Sequence, residues 1–366
     1  MKNRRVKLSD IAELTVGFVG NMAKQYKDEG VKFLRSLNIK PFSIVEDDLK
    51  YISREFNESL RKSILHENDL IIVRTGIPGT CCVVSKDYDG CNCADVVLVR
   101  PNLQVVNPHY LAAYINVWGK KQVEYNKVGA IQKHFNVKSA EEMLIDLPDL
   151  ESQNKVAKIL CDLNDKIISN EKINDYLHQM AYAEYMHMFY GKTPNAKLGD
   201  VIIEHPKSFV QVSEAKEQFG NIPFFTSGES IYRWTESFVS DRSIFLNTGG
   251  NADVKFYVGN AAYSTDTWCI SGINNLSDYV YLMLRSIKLE LDQKFFQGTG
   301  LKHLQKPLLK DRMIYVPTNI ELDTFNADIQ PRLSMISDNI RASEKLTTLR
   351  DWLLPMLMNG QATIKD

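Results

Sequence analysis

Two sets of polar residues recur in the same order in the two halves of the chain, beside glycines and basic side chains. Such residues can hydrogen-bond to the edges of DNA bases while nearby lysines and arginines hold phosphates. The first set falls in three segments: Lys24, Gln25 and Arg35; then Arg74, Thr75 and Gly76; then Gln132, Lys133 and His134. The second set has three corresponding segments: Thr226, Ser227 and Arg233; then Asn247, Thr248 and Gly249; then Gln297, Thr299, Lys302 and His303. We predict two DNA-contacting surfaces; the alternative for any single residue is an ordinary solvated side chain.

The sequence shows no signature of an enzyme active site. Asn107–Tyr110 faintly echoes the Asn-Pro-Pro-Tyr element of adenine methyltransferases, but no glycine-rich strand-turn-helix for a methyl donor precedes it. A simple Asn-Pro turn that caps a helix explains it better. Gly76 and Gly79 do not form a phosphate-binding loop, because no Gly-Lys-Ser/Thr follows. We therefore predict no catalytic residues and no resident cofactor or metal.

Six cysteines raise the question of a metal or a disulfide framework. Neither a C-C nor a C-x-C pair has the C-x2-C spacing of a structural zinc site. The prediction is reduced thiols that pack in and near strands. The residues concerned are Cys81, Cys82, Cys91, Cys93, Cys161 and Cys269.

The chain contains an internal repeat. The two polar sets lie in the two copies of this repeat, so the elements of each copy would position one set. Gly129–Gly191 aligns without a gap with Gly298–Gly360, 169 positions later, and this alignment places Asn170 on Asn339. The opening Lys7-Leu8-Ser9-Asp10 aligns with Lys197-Leu198-Gly199-Asp200, 190 positions later. The two offsets differ by 21 positions, so the copies differ in length within their bodies and agree in the length of the segment that follows.

The length, composition and charge of the chain limit the classes of protein to which it can belong. The 366 residues suffice for two or three domains with hydrophobic cores, and no apolar run approaches the length of a membrane span. No secretory signal is visible at the N-terminus, so we expect a cytoplasmic location. The net charge of −1 is unusual for a lone nucleic-acid binder. It favours the alternative of a bivalent protein–protein adaptor that does not read DNA.

Each copy begins with a body of mixed secondary structure. Asp69–Arg74 and Ala94–Val99 are predicted strands in the first body, and Ser243–Leu246 and Val254–Val258 in the second. Helices are predicted at Tyr110–Trp118 and at Tyr279–Leu291. The fold class that follows is α+β, with two similar globular domains.

A long amphipathic helix follows each body. Residues 151–189 contain no glycine or proline, and one helix of that length extends about 58 Å. In the second copy, Pro331 is predicted to start or kink the helix and Pro355 to kink its last turns. We predict an antiparallel coiled coil between the two copies, with a pseudo-twofold relation; the alternative is that each helix packs only on its own body. The helix–helix or partner interface is predicted at Val156, Leu160, Leu163, Ile167, Asn170, Asn174, Leu177, Ile336, Ile340, Leu346 and Leu349.

These features together resemble a known family. The motifs are FLRSLNI at Phe33–Ile39, RTGIPGT at Arg74–Thr80, LPDLESQNKVAKILCDLNDKIISNEKINDYL from Leu147, and LRDWLLPMLMNGQATI at Leu349–Ile364. In this order they are similar to the specificity subunits of type I restriction-modification enzymes. The resemblance covers essentially the whole chain, and its specificity comes from the helical segments and the duplication together.

The resemblance implies a non-catalytic reader of double-stranded DNA. Two target-recognition domains would each read one half of a bipartite target, and the helices would set the spacer between the halves. Two modification (methyltransferase) subunits would dock, and restriction-translocase subunits would join. S-adenosylmethionine, ATP and Mg²⁺ would belong to those partners. The domains expected on this basis are residues 1–149 and 192–318 for recognition and 150–191 and 319–366 for the helices.

Overall fold

The computed structural model describes residues 4–125, 135–228, 230–359, 361 and 362. It divides into two compact units. Unit 1 comprises residues 1–167 and 345–366, and unit 2 comprises residues 168–344. The division falls within both long helices, so each unit contains a body together with a part of each helix.

Unit 1 is built from short strands, four short helices and parts of the two long ones. Its strands are β1 (Arg4–Lys7), β2 (Ala12–Val16), β3 (Val31–Leu34), β4 (Ile39–Lys40), β5 (Ser43–Ile44), β6 (Lys50–Ile52), β7 (Leu70–Val73), β8 (Cys81–Val83), β9 (Asn92–Cys93), β10 (Val96–Pro101) and β11 (Leu144–Leu147). Its helices are α1 (Arg54–Ser59), α2 (Pro108–Tyr114), α3 (Lys120–Tyr125), α4 (Val137–Glu141) and the first part of α5 (Leu150–Phe189).

Unit 2 repeats this order. Its strands are β12 (Ala196–Lys197), β13 (Ile202–Glu204), β14 (Ile222–Phe225), β15 (Tyr232–Trp234), β16 (Arg242–Asn247), β17 (Val254–Val258), β18 (Ala262–Tyr263), β19 (Thr267–Gly272), β20 (Phe296–Gln297), β21 (His303–Leu304) and β22 (Met313–Ile314). Its helices are α6 (Val212–Glu217), α7 (Ser277–Ser286), α8 (Lys288–Glu290), α9 (Lys306–Lys310) and most of α10 (Asn319–Met358).

The main sheets have the same topology in both units, whereas among the described residues the β4-β5 pair occurs in unit 1 alone and the β20-β21 pair in unit 2 alone. Unit 1 has an antiparallel sheet in the order β2-β10-β7-β8, and unit 2 has β13-β19-β16-β17. A smaller sheet, β6-β3-β9 or β15-β14-β18, contains one parallel pair in each unit. The first and last strands of each body pair as β1-β11 and β12-β22. The predicted α+β class and internal repeat are confirmed.

The central sheet of unit 1 is buried on both faces, which explains its continuous apolar strands. In β7, Leu70 and Ile72 pack into the core beside α2 and the long helices, whereas Ile71 and Val73 pack into a separate core that also contains Leu34. Side chains alternate between the faces of a strand, so both faces being covered requires an unbroken apolar run. The predicted strands Asp69–Arg74, Ala94–Val99 and Ser243–Leu246 are confirmed with ends that shift by one or two residues. The strand Val254–Val258 is confirmed with its predicted ends.

The repeated Lys-Leu-x-Asp opening has a structural reason. Leu8 and Leu198 are fully buried, and each begins a 3-10 turn. The backbone N–H of Lys7 donates to Asp10 Oδ2 at 2.9 Å, and Lys197 donates to Asp200 in the same way at 3.3 Å. The motif therefore closes the start of each body.

Helix α5 is confirmed as one continuous segment, and its start is capped. Asp149 accepts hydrogen bonds from the backbone and hydroxyl of Ser152 at 2.8 and 2.9 Å. Helix α10 begins at Asn319, twelve residues before Pro331, so the prediction that this proline could start the helix is wrong. The helix continues through Pro331 because the flanking Ile329 and Leu333 are buried in the core of unit 2.

The seam between the two helices in unit 2 is polar at its centre. Asn170 Nδ2 donates to Ser343 Oγ at 3.1 Å, and Asn339 Nδ2 donates to Asn174 Oδ1 at 2.9 Å. Replacing each residue by its counterpart 169 positions away in the other copy converts the first pair into the second. Residue numbers rise along α5 while those of the partners fall along α10, so the two helices run antiparallel. The predicted antiparallel, pseudo-twofold helix pairing is confirmed here.

The predicted seam residues differ in burial. Val156, Leu160, Asn170 and Ile336 are buried, whereas Leu349 is 42% exposed. The remaining six are half-buried: Leu163, Ile167, Asn174, Leu177, Ile340 and Leu346. In unit 1, Val156 and Leu160 share a core with residues from the last turns of α10. A role for any of them in partner docking stays a prediction.

The six cysteines are all free thiols, as predicted, and five of them are buried. Within the described ranges, no three His, Cys, Asp or Glu side chains group as metal ligands would. Nor does any helix among those residues combine the length and apolarity that crossing a membrane needs.

Candidate nucleic-acid interface

In unit 1 the predicted polar residues gather around Asp95, which immediately precedes β10. Arg74 Nη1 lies 3.3 Å from Asp95 Oδ1, and Thr75 Oγ1 donates to Oδ2 at 3.1 Å. Arg74 Nε also donates to the carbonyl oxygen of Phe135 at 3.2 Å. The glycine turn is thereby tied to the segment that follows the third predicted cluster.

A cavity of about 630 Å³ opens beside this cluster. Its lining includes the predicted residues Arg35, Thr75 and Gly76, so the structure brings two of the three predicted segments of unit 1 together. Apolar side chains such as Ile77, which is 63% exposed, form part of the wall. A concave surface with few polar groups can accept the face or the methyl group of a base.

Arg35 is held in place by a carboxylate. Its Nη2 donates to Asp48 Oδ2 at 2.8 Å, and its guanidinium lies 5.9 Å from the ring centroid of Tyr26. Arg35 and Lys50 together lower the pKa of Asp48 to about 2. Lys24 is exposed and Gln25 half-buried. The third predicted segment, Gln132, Lys133 and His134, lies outside the described residues.

In unit 2 the predicted residues gather around the backbone carbonyl of Asp266. Thr248 donates to this oxygen through its backbone N–H at 3.1 Å and through Oγ1 at 2.9 Å. Ser227 Oγ donates to the same oxygen. The first and second predicted segments of unit 2 are therefore joined at one atom.

The third segment of unit 2 forms the β20–β21 hairpin, which lies against the glycine turn. Gly249 forms a bridge with His303, and Leu304 N–H donates to the Thr248 carbonyl at 3.0 Å. The four predicted residues of the hairpin, Gln297, Thr299, Lys302 and His303, are all exposed. Unit 2 thus brings together polar groups from all three of its predicted segments.

Three other predicted residues build loops and do not face solvent freely. Thr226 and Asn247 are buried, and their side chains hydrogen-bond within their own turns. Arg233 forms an ion pair of 2.6 Å with Glu344 of α10. These contacts leave the exposed hairpin and the glycine turn as the accessible part of the surface.

The two glycine turns correspond with a shift of one position from the alignment made on sequence. Val73 pairs with Val96, and Asn247 pairs with Thr267, at the same place in the two sheets. Arg74 therefore corresponds to Thr248. Gly76 and Gly250 then coincide, with φ of 78° and 79°, where a side chain would be strained. The sequence alignment had matched Gly76 with Gly249 because both are preceded by threonine.

A basic cluster near the hairpin was missed by the sequence reasoning. Lys306 follows β21 by two residues, and its Nζ lies 5.1 Å from the ring centroid of Trp268. Burial lowers the pKa of Lys306, the nearby carboxylate of Glu204 opposes this effect, and the positive charges of Lys207 and Lys310 add to it. Lys310 is itself paired with Glu204 at 2.8 Å, so this carboxylate offsets part of the positive charge of the cluster. The sequence signal that could have revealed this cluster is Lys-Pro-Leu-Leu-Lys at Lys306–Lys310.

Comparison with family models and with curated proteins shows which known proteins the chain resembles. Residues 2–179 match the model of the type I restriction modification DNA specificity domain. Among curated proteins, the chain is similar to the type I restriction enzyme MjaIX specificity subunit of Methanocaldococcus jannaschii, with 21% identity over 272 residues. That alignment covers 62% of this chain and 62% of the relative.

Two further relatives match shorter regions. The EcoBI specificity subunit of Escherichia coli is 22% identical over 132 residues, which is 36% of this chain and 28% of that protein. The HindI specificity subunit of Haemophilus influenzae is 29% identical over 98 residues, which is 25% of this chain and 21% of that protein. The chain thus spans less than two thirds of the length of each of these relatives.

A solved structure shares the fold. The S subunit of a type I restriction-modification system from M. genitalium superposes with a TM-score of 0.63 at 12% identity, covering 97% of this chain and 96% of that one. Residues 2–179 match the type I restriction modification DNA specificity domain, and the predicted resemblance of the chain to type I restriction-modification specificity subunits is therefore confirmed.

Proposed function

We propose that this chain reads a bipartite, asymmetric DNA sequence, with each unit contacting one half-site. The main support is that each unit gathers polar residues from two loops at one aspartate beside a central strand: Ser36, Arg74 and Thr75 at Asp95, and Ser227 and Thr248 at Asp266. A surface of this kind suits base readout. The interiors of the two units differ, which fits two unlike half-sites.

We further propose that the chain itself is non-catalytic. Two methyltransferase subunits dock on it, and restriction-translocase subunits join. In this proposal S-adenosylmethionine, ATP and Mg²⁺ are bound by those partners. The near-neutral net charge of −1 supports a division of labour in which partners neutralise most of the phosphates.

The same low net charge favours one competing function, a bivalent adaptor that binds two copies of a protein without reading DNA. An electrophoretic mobility shift with the methyltransferase subunit present, over a series of salt concentrations, separates the two. We expect sequence-dependent binding that weakens as salt rises. Binding to the methyltransferase subunit without any sequence-dependent, salt-sensitive DNA complex would establish the adaptor instead.

A helix insertion tests whether the helices set the spacing. We expect four extra residues between Ser169 and Asn174 of α5 to lengthen the unread gap in the target by about 6 Å, or about two base-pair steps. Four residues make roughly one turn, so the seam keeps its orientation. The methylated motif in a strain carrying the variant provides the measurement.

The insertion has a matched control in an exposed loop. Four residues inserted after Leu103, which is 52% exposed in the turn before α2, should leave both gap and half-sites unchanged. If the helix-insertion variant still supports methylation and the gap in its target is unchanged, the proposal that the helices set the spacing is refuted. A change in the half-sites themselves would also contradict it.

A further inference from the structure

A serine–aspartate pair occupies the same structural position in both units. The parallel strand pairs align Leu34 with Cys93 in unit 1 and Phe225 with Tyr263 in unit 2. Two residues after the first strand of each pair stand Ser36 and Ser227. Immediately before β10 and β19 stand Asp95 and Asp266. The correspondence follows from strand register and does not depend on sequence similarity.

The same hydrogen bond joins both pairs. Ser36 Oγ donates to the Asp95 carbonyl oxygen at 3.2 Å, and Ser227 Oγ donates to the Asp266 carbonyl oxygen. Each bond spans a long stretch of sequence and connects the first polar segment to the strand that borders the glycine turn. We call these two contacts the serine–aspartate locks.

Each aspartate also holds the glycine turn, although by different atoms. Asp95 uses its carboxylate to accept from Arg74 and Thr75. Asp266 uses its carbonyl oxygen to accept from Thr248. The difference follows from the residue after the central strand, which is the long Arg74 in unit 1 and the short Thr248 in unit 2.

Asp95 adopts a backbone conformation that is uncommon for a residue with a side chain. Its φ is +56°, in the left-handed region where aspartate and asparagine are tolerated better than most residues. Such conformations persist where the surrounding contacts determine them, and they concentrate at functional sites. The contacts here are those to Ser36, Arg74 and Thr75.

We propose that the serine–aspartate locks are positioning elements that fix the base-contacting loops of their own unit, and so determine how strictly that unit reads its half-site. This inference rests on the proposed function. Loops fixed before binding lose less conformational freedom on the DNA and cannot adjust to a wrong base. The locks act through the loops; the hydroxyl of Ser227, which the sequence predicts as a DNA contact, serves in this proposal to hold the loop.

The test uses the full chain assembled with its methyltransferase subunit. Binding is measured to a library of targets in which each half-site is randomised in turn. We expect Ser36→Ala to reduce discrimination between cognate and mismatched bases about tenfold, in one half-site only. Ser227→Ala should do the same in the other half-site.

Two controls separate positioning from a general loss of structure. Ser36→Thr keeps the hydroxyl and should restore discrimination, whereas Ser85→Ala, at an exposed serine without a capping bond, should change nothing. The affinity for non-specific DNA and the thermal unfolding midpoint should stay at the wild-type value in Ser36→Ala. A fall in either that accounts for the lost discrimination would reduce the lock to an ordinary structural contact and overturn the proposal.

The possible failures are distinguishable. A wild-type complex without sequence preference would refute the proposed function itself. A wild-type complex with two specific half-sites, combined with lock variants that keep full discrimination, would refute the locks alone. Relaxation of both half-sites by a single substitution would also refute them, because each lock is proposed to act within its own unit.

Discussion

Replacing Asp278 with alanine is expected to lower the free energy of unfolding of unit 2 by about 3 kcal/mol. The side chain of Asp278 is fully buried, and its Oδ2 lies 2.7 Å from Nε of Arg242. Arg242 also donates to the Gln330 carbonyl at 2.9 Å and to Ser334 Oγ, both on α10. The pair thus ties α7, β16 and α10 together. Alanine leaves the Nε–H of a largely buried guanidinium without an acceptor, whereas a protonated carboxyl or an amide at this position would still provide one.

The loss can be assigned to the pair by a double-mutant cycle. For this cycle, Arg242→Met and Asp278→Leu should each destabilise unit 2 alone, whereas the two combined should be more stable than either single variant, because no unpaired charge remains. Hydrogen exchange resolved by peptide reports on unit 2 separately from unit 1. Additive losses would show that the two side chains act independently.

An exposed ion pair on the same helix provides the control. Asp328 lies 2.6 Å from Arg332 one turn away in α10, and its side chain is 43% exposed. Asp328→Ala should change the free energy of unfolding by less than about 1 kcal/mol, because solvent screens the pair. A loss as large as that of Asp278→Ala would mean that the cost arises from the helix and not from burial.

The same carboxyl gives unit 2 a distinct pH dependence. Burial raises the pKa of Asp278 to about 6, against an ordinary value of 3.8. The folded state therefore binds more protons than the unfolded state between these values, so this contribution to stability is present at low pH and is lost as pH rises through 6. The wild-type chain should lose stability relative to Asp278→Asn over that range, by at most about 3 kcal/mol.

A histidine in unit 2 acts in the opposite direction, so the comparison with Asp278→Asn is necessary. Burial and the nearby Arg285 lower the pKa of His178 to about 4. Its contribution is present above pH 6.5 and is lost as pH falls through 4. The wild-type chain and Asp278→Asn both carry His178. The difference between their profiles of stability against pH therefore reports on Asp278 alone.

Much of the fold was predictable because local chemistry decides it. The stretch without glycine or proline became α5, and the Val- and Ile-rich runs became strands β7 and β10. Helix boundaries depended on tertiary packing, which a local pattern does not contain. Pro331 looks like a helix start, yet the apolar residues before it, such as Phe325, are buried and extend α10 back to Asn319.

The loops that form the candidate site were predictable from the sequence. The residues that join these loops were not. Polar residues beside glycines marked the segments around Arg74 and Thr248. Asp95 and Asp266 were missed because an acidic residue is a poor candidate for contact with DNA, and its role here is to hold other side chains. Strand register, which sequence periodicity does not specify, brings these residues beside Ser36 and Ser227.

Replacing Phe189 with alanine is expected to cost about 4 kcal/mol of the stability of unit 2. Phe189 ends α5 and is 3% exposed. Its ring centroid lies 5.1 Å from those of both Tyr279 and Phe325, each in an edge-to-face arrangement. Alanine would leave a cavity between rings contributed by α7 and α10, and it would remove the favourable edge-to-face contacts as well.

Phe219 provides a matched control, because the same substitution there removes an equal side chain that is 96% exposed. Phe219→Ala should leave stability within about 0.5 kcal/mol of wild type. On warming, the Phe189→Ala complex should lose discrimination in the half-site read by unit 2 before that read by unit 1. Hydrogen exchange and half-site binding measured at the same temperatures test this directly. Simultaneous loss of both half-sites would show that the two units unfold as one cooperative body, and readout could then not be assigned to separate units by stability.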